Sequence, residues 1–186
     1  MSEVKHIKAP CDKEVVKTLK AGDNVLITGT LIVARDAAHK AITEALARGE
    51  KLPVDFTNET IYYMGPTPAK PGQAVGSAGP TTSGRMDKYT KTMIEVGKIS
   101  GMIGKGYRSK EVIDSMIKNC VVYMVAIGGA GALISQSIKK YEILAYPELG
   151  PEALARITVE NFPAIVAIDS YGNNFYKVGQ ALYKKI

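Results

Sequence analysis

The run Val25-Leu26-Ile27-Thr28-Gly29-Thr30-Leu31-Ile32-Val33-Ala34-Arg35-Asp36 decides how the chain folds. Its β-branched residues favour a pleated, buried strand over 25–33, with Gly29 marking a bulge or a close backbone contact. The period then changes: Ala38, Ala41, Ile42, Ala45 and Leu46 recur at helical spacing, Asp36 is placed to cap that helix and Gly49 to stop it. Arg35 thus stands at a strand-to-helix corner, and in open α/β sheets such corners at the carboxyl ends of strands are where ligands bind. His39, one turn into the helix, reads as a capping or surface histidine, with contact to the same corner as the alternative.

Working outward, Asp12 caps a short helix through Val15, Val16 and Leu19 that ends near Gly22, and Thr60–Met64 forms a short strand. Residues 65–80 hold four prolines and four glycines with Val75 as the sizeable apolar anchor, which favours an ordered surface loop over a linker and places an edge strand around Gln73–Gly76. Between Ile99 and Ser109 the chain sets Lys105 between two glycines. The spacing fails the P-loop pattern, because Gly106 stands where Ser or Thr is required. Ser109 caps a helix packed through Val112, Ile113, Met116 and Ile117.

Cys120–Ile127 reads as an apolar strand running into Gly128-Gly129-Ala130-Gly131 and a helix to Lys140. That turn matches a dinucleotide fingerprint poorly, since Ile134 takes the third small position. A short helix opened by Pro151, a strand over Pro163–Ile168 and a closing hairpin through Phe175 and Tyr176 complete the reading. Alternating strands and helices predict one α/β domain over 1–186, with a mainly parallel central sheet and additional antiparallel strands.

The second informative stretch is Gly79-Pro80-Thr81-Thr82-Ser83-Gly84-Arg85-Met86-Asp87. It delivers hydroxyls to the start of a helix in which Met86, Tyr89, Met93 and Val96 recur. Free backbone N–H groups, the helix dipole and the fork of Arg85 make this an anion site. Arg35, Arg85 and Lys105, with the Thr81 and Thr82 hydroxyls, would together hold a small dianion.

Composition narrows the chemistry. With 46% apolar and 23% charged residues the chain is an ordinary globular one. No apolar run reaches the roughly 18 residues of a membrane span, and the N-terminus lacks a signal-peptide core, so a cytoplasmic protein is expected. The net charge of +6 is scattered, which suits a small anion better than a nucleic-acid backbone. Two cysteines, Cys11 and Cys120, form no CxxC pair and cannot supply the thiolates of a zinc site or an iron-sulfur cluster. No metal ligand is expected in this chain, so any hard chemistry comes from a cofactor on another polypeptide.

Ala34-Arg35-Asp36-Ala37-Ala38-His39, the Gly79–Asp87 block, Gly104-Lys105-Gly106 with Arg108-Ser109, Gly128–Ser135, and Phe162-Pro163-Ala164 with Gly172-Asn173 resemble the β subunit of class I, iron-sulfur-dependent fumarate hydratases. Tartrate dehydratase β subunits share the pattern, and the resemblance covers nearly the whole chain. It implies a swivelling three-layer β/β/α domain that closes over an α subunit, in a hetero-oligomer with two copies of each. The α subunit would carry a 4Fe-4S cluster whose open iron acts on the hydroxyl and carboxylate of a dicarboxylate. The resemblance further implies that Arg35, Arg85 and Lys105 bind the carboxylates and that Thr81 is the base at the carbon that gains or loses a proton; the Thr82 hydroxyl, read from its place in the helix-opening stretch, is a further substrate-binding candidate. Asp36 and His39 are supporting candidates. Tartrate dehydratase and a non-catalytic dicarboxylate-binding module are the alternatives to fumarate hydration.

Overall fold

The structure is a computed structural model and describes residues 3–183. Strands β1 (Lys5–Ala9), β2 (Asn24–Val33), β3 (Thr60–Tyr62), β4 (Gly101–Gly104) and β5 (Val122–Val125) lie side by side in that order, all parallel. The expected α/β sheet, mainly parallel with added antiparallel strands, is therefore present. It is not an open layer, however. The 15-residue β7 (Leu154–Ile168) runs antiparallel to β2 and to β5, so β2, β3, β4, β5 and β7 close into a five-strand ring. β1 flanks the ring along β2, and β6 (Ile138–Ala145) flanks it along β7.

Closure depends on two local devices. Gly29 sits at a register shift between β2 and β7 with φ of 132°, and a Cβ there would stand 1.9 Å from the Ala9 carbonyl oxygen, so the anticipated bulge is present and admits only glycine. Opposite it, Asn161 takes φ of 51° and donates its N–H to Thr28 Oγ1, which bends β7. The strand can then change neighbours from β6 to β5 along one edge.

The period-two alternation of the strands divides the apolar residues into two cores. Tyr62, Ile103, Val122 and Met124 join Ile27, Leu31, Ile157 and Phe162 inside the ring. Their neighbours Ile61, Met102 and Tyr123, with Ile32, face the helices α2 (Asp36–Ala47), α3 (Asp87–Glu95) and α4 (Lys110–Asn119), which contribute Ala38, Ile42, Met93, Val112 and Met116.

α1 (Lys13–Thr18) begins as anticipated, with Asp12 Oδ1 accepting the Val15 N–H. The 65–80 loop is ordered and anchored by buried Val75, and the Tyr62 hydroxyl donates to the Ala78 carbonyl. Gln73–Gly76 is not a strand, because bonds between Thr67 and both Gly76 and Ser77 fold the loop on itself. The helix after the glycine-rich turn, α5 (Gly131–Ser135), stops well before Lys140. The hydroxyls of Ser135 and Ser137 bond carbonyls three residues back, and Ile138 onward joins β6. Pro147–Glu152 is two 3-10 pieces joined across a kink at Gly150, the first opened by Pro147 and the second by Pro151 as anticipated. Among the described residues the last element is not a hairpin strand but helix α6 (Phe175–Tyr183), where Asn174 Oδ1 accepts the Tyr176 N–H as a cap.

Candidate functional site

Arg35 follows β2, Lys105 follows β4, and the 79–87 segment crosses between them over the end of β3. Backbone pairing fixes that crossing. Thr81 N–H donates to the Tyr63 carbonyl at 2.7 Å, Thr82 bridges to Lys105, and Ser83 N–H donates to the Lys105 carbonyl at 2.9 Å. In return Lys105 N–H donates to Ser83 Oγ at 3.1 Å. The Tyr123 hydroxyl lies 2.9 Å from both Ser83 Oγ and the Gly106 carbonyl. A carbonyl only accepts, so the phenol gives its single proton to Gly106 and takes that of Ser83. A Cβ at Gly104 would stand 2.0 Å from Ser83 Oγ, so only glycine admits this stitch between the two loops.

The arginines converge on one carboxylate. Arg85 Nε and Nη2 reach Asp36 Oδ1 and Oδ2, each at 3.0 Å, while Arg35 Nε stands 3.5 Å from Oδ2. Arg35 Nε and Asp36 Oδ2 are buried and paired by charge, without aligned hydrogen bonds. Arg35 Nη2 also lies 3.4 Å from Glu152 Oε1, and its guanidinium passes so near Gly65 that a Cβ there would be 2.6 Å from Nη1. Asp36 is therefore not the anticipated cap. It is the first residue of α2, and Glu152 takes over the capping role by accepting the Ala37 N–H at 2.8 Å.

Lys105 is exposed, and its stem runs near Gly128, where a Cβ would lie 3.8 Å from Cδ. The Thr81 and Thr82 hydroxyls and the Lys105 ammonium have no bonding partner among the described residues. They are free to meet a ligand. The larger clefts lie elsewhere: about 430 Å³ beside Val125, Ile165 and Phe175, and about 610 Å³ between Tyr107, Arg108 and α6. The cations and hydroxyls form an open shelf.

His39 is neither a surface nor a capping residue. It is fully buried, its ring edge-on to Tyr63 at 5.5 Å and stacked on Tyr89 at 6.0 Å. Burial and the nearby Arg108 push its pKa down to about 4, against the opposing bond to the Arg35 carbonyl.

Beneath the shelf lies Arg108, whose side chain is wholly buried. Its Nε pairs with Asp87 at 2.7 Å and its Nη2 donates to Thr90 Oγ1 at 2.7 Å, while its guanidinium faces Tyr63 and Tyr123. Asp87 also accepts the Ser109 N–H at 2.6 Å, so this pair ties the segment after Arg85 to the segment after Lys105. Sequence reasoning assigned no role to Ser83, Arg108 or Glu152. Ser83 and Arg108 stood inside motifs already singled out, whereas nothing in the local pattern around Glu152 signals a cap for α2.

Among the described residues no group of three or more His, Cys, Asp or Glu could hold a metal ion. Cys11 is buried, with its thiol pKa pushed up by desolvation, and Cys120 is half-buried. These residues do not fit an iron-sulfur cluster. No helix among the described residues is long and apolar enough to cross a membrane.

The fumarase C-terminus family model matches residues 2–179. Fumarate hydratase 2 of Leishmania major is 43% identical over 173 residues, covering 91% of this chain and 30% of that protein. The anaerobic class I fumarate hydratase of Escherichia coli K12 is 44% identical over 152 residues, covering 81% of this chain and 28% of that one. The putative L(+)-tartrate dehydratase subunit beta of Methanocaldococcus jannaschii is 41% identical over 180 residues, covering 94% of this chain and 92% of that protein. The chain thus spans less than a third of those fumarate hydratases and nearly all of the tartrate dehydratase subunit.

Proposed function

The chain belongs to the fumarase C-terminus family, and from that premise we propose that it is the β subunit of an iron-sulfur hydro-lyase that interconverts fumarate and malate with an α subunit. The observation that carries the reading is the convergence of Arg35 and Arg85 on Asp36, on a shelf that also bears Lys105 and the unpartnered Thr81 hydroxyl. Arg35 and Arg85 grip the carboxylates of the substrate, Lys105 adds a point charge and Thr82 a hydrogen bond. Thr81 handles the proton at the carbon that does not carry the hydroxyl. A threonine hydroxyl is a poor base in water, and the neighbouring cations are what would stabilise its alkoxide.

The cluster finds no ligand set among the described residues and is assigned to the α subunit, over which this domain swivels shut in a cytoplasmic hetero-oligomer with two copies of each chain. Tartrate is the nearest competing substrate, favoured by the near-complete match to a separate tartrate dehydratase subunit. The experiment is anaerobic co-purification of the chain with its α partner, followed by iron analysis and turnover assays on fumarate and tartrate. Iron-dependent hydration by the complex, and none by either chain alone, is expected. Robust turnover by the isolated chain without iron would refute the subunit assignment, and preference for tartrate would reassign the substrate.

A further inference from the structure

We propose that His39 is a positioning residue for Arg35: its ring donates to the Arg35 main-chain carbonyl and locks the strand-to-helix corner from which the guanidinium reaches the substrate. The inference rests on Arg35 gripping a carboxylate, as proposed above. His39 Nδ1 lies 2.8 Å from the Arg35 oxygen, which also accepts the His39 backbone N–H at 3.0 Å. A carbonyl cannot donate, so Nδ1 carries the proton.

The ring is neutral, with its lone pair on Nε2. That nitrogen is buried without a partner, and a proton there would place a second cation close to Arg108 with no acceptor. The charged groups acting on the ring are Arg108 and Asp36, and the Tyr63 and Tyr89 rings pack against it. His39 therefore neither transfers a proton nor contacts the shelf from beneath as a charge. It acts through geometry. The same Tyr63 on which the ring packs supplies the carbonyl that holds Thr81, so the contact joins the arginine corner to the threonine segment.

Two measurements on two variants test this. Asn can place its side-chain N–H where His39 Nδ1–H stands, whereas Leu keeps the bulk and loses the donor. In the full chain alone, nitrogen-15 spectra follow the Arg35 Nε–H signal, assigned through Arg35→Lys. His39→Leu is expected to shift or broaden it, and His39→Asn to restore it. In the reconstituted complex, His39→Leu should raise KM for fumarate about fivefold, the value of one net hydrogen bond, with kcat within about twofold. His39→Asn should return KM to near wild type.

An Arg35 signal untouched by His39→Leu, or Leu and Asn variants that behave alike in both measurements, would overturn the proposal. If the wild-type complex fails to hydrate fumarate, the functional reading falls, while the spectra still decide whether His39 fixes Arg35.

Discussion

At the scale of single residues, burial has removed His39 from the acid–base chemistry that histidines usually perform. Its folded pKa of about 4 lies below the unfolded value of 6.5. The unfolded chain therefore binds the extra proton between those values, and folding stability falls as pH drops through that window. It is fully present above about pH 6.5 and fully lost below about pH 4. The shift corresponds to about 3 kcal/mol. Urea titrations of wild type and His39→Asn at pH 7 and pH 4.5 isolate most of this contribution: the wild type should lose about 2 kcal/mol more stability on acidification. Equal losses in the two proteins would mean that the ring is protonated in the fold. The sequence named His39 as a neighbour of the Arg35 corner but placed it at the surface, because one turn of helix does not reveal which neighbours cover it. Tyr63 and Tyr89, which bury it, come from distant segments. Arg35, Arg85 and Lys105 were legible for the opposite reason, since glycines and element ends mark them locally. Asp36 was identified and given the wrong partner, because the arginine that claims its carboxylate lies 49 positions away.

At the scale of elements, the parallel core was readable from its β-branched runs and helical periods, and the errors collected where tertiary contacts override local pattern. Pro163 looked like the start of a strand that in fact begins at Leu154, because pairing with β2 carries β7 across the proline. Phe175-Tyr176 suggested a strand, yet the Asn174 cap and docking beside β7 make α6 helical. The start of α2 is the instructive case. Its own Asp36 is engaged by Arg85, so the cap comes from Glu152 in another segment. Glu152→Ala should therefore destabilise the fold by about 0.5–2 kcal/mol, as expected for a lost cap, whereas Glu152→Gln keeps an acceptor for the Ala37 N–H and should cost less. Chemical denaturation of both variants at one pH measures the difference, and equal costs would assign the stabilisation to the Arg35 ion pair instead. The two loops joined by Ser83 invite the complementary change. Gly104→Ala forces a methyl onto Ser83 Oγ, so it should displace the Lys105 backbone and depress kcat/KM in the complex by at least about tenfold, whereas Gly179→Ala in α6, where a Cβ meets nothing within 4 Å, should leave kcat/KM near wild type.

At the scale of the whole molecule, the parallel strands bring the carboxyl ends of β2, β3 and β4 to one rim, where Arg85 and Lys105 stay exposed to water. The rim brings three cations, Arg35, Arg85 and Lys105, but Asp36 and Glu152 already neutralise two of them. A dicarboxylate arriving from water must share those arginines with the protein's own carboxylates. Exposed ion pairs contribute about 0–1 kcal/mol each, so three of them supply at most about 3 kcal/mol, short of the roughly 4 kcal/mol that millimolar affinity requires. The isolated chain should consequently bind fumarate no tighter than about 1 mM, and less tightly as salt rises. Burial of the rim by a partner would strengthen the same pairs by excluding water, and affinity should then move into the micromolar range. Calorimetric titration of the chain alone and of the α-containing complex compares the two directly, with Arg85→Ala abolishing whatever binding each shows. Micromolar binding by the chain alone would mean that the site is complete within this polypeptide, and would shift the reading toward a self-sufficient dicarboxylate-binding module.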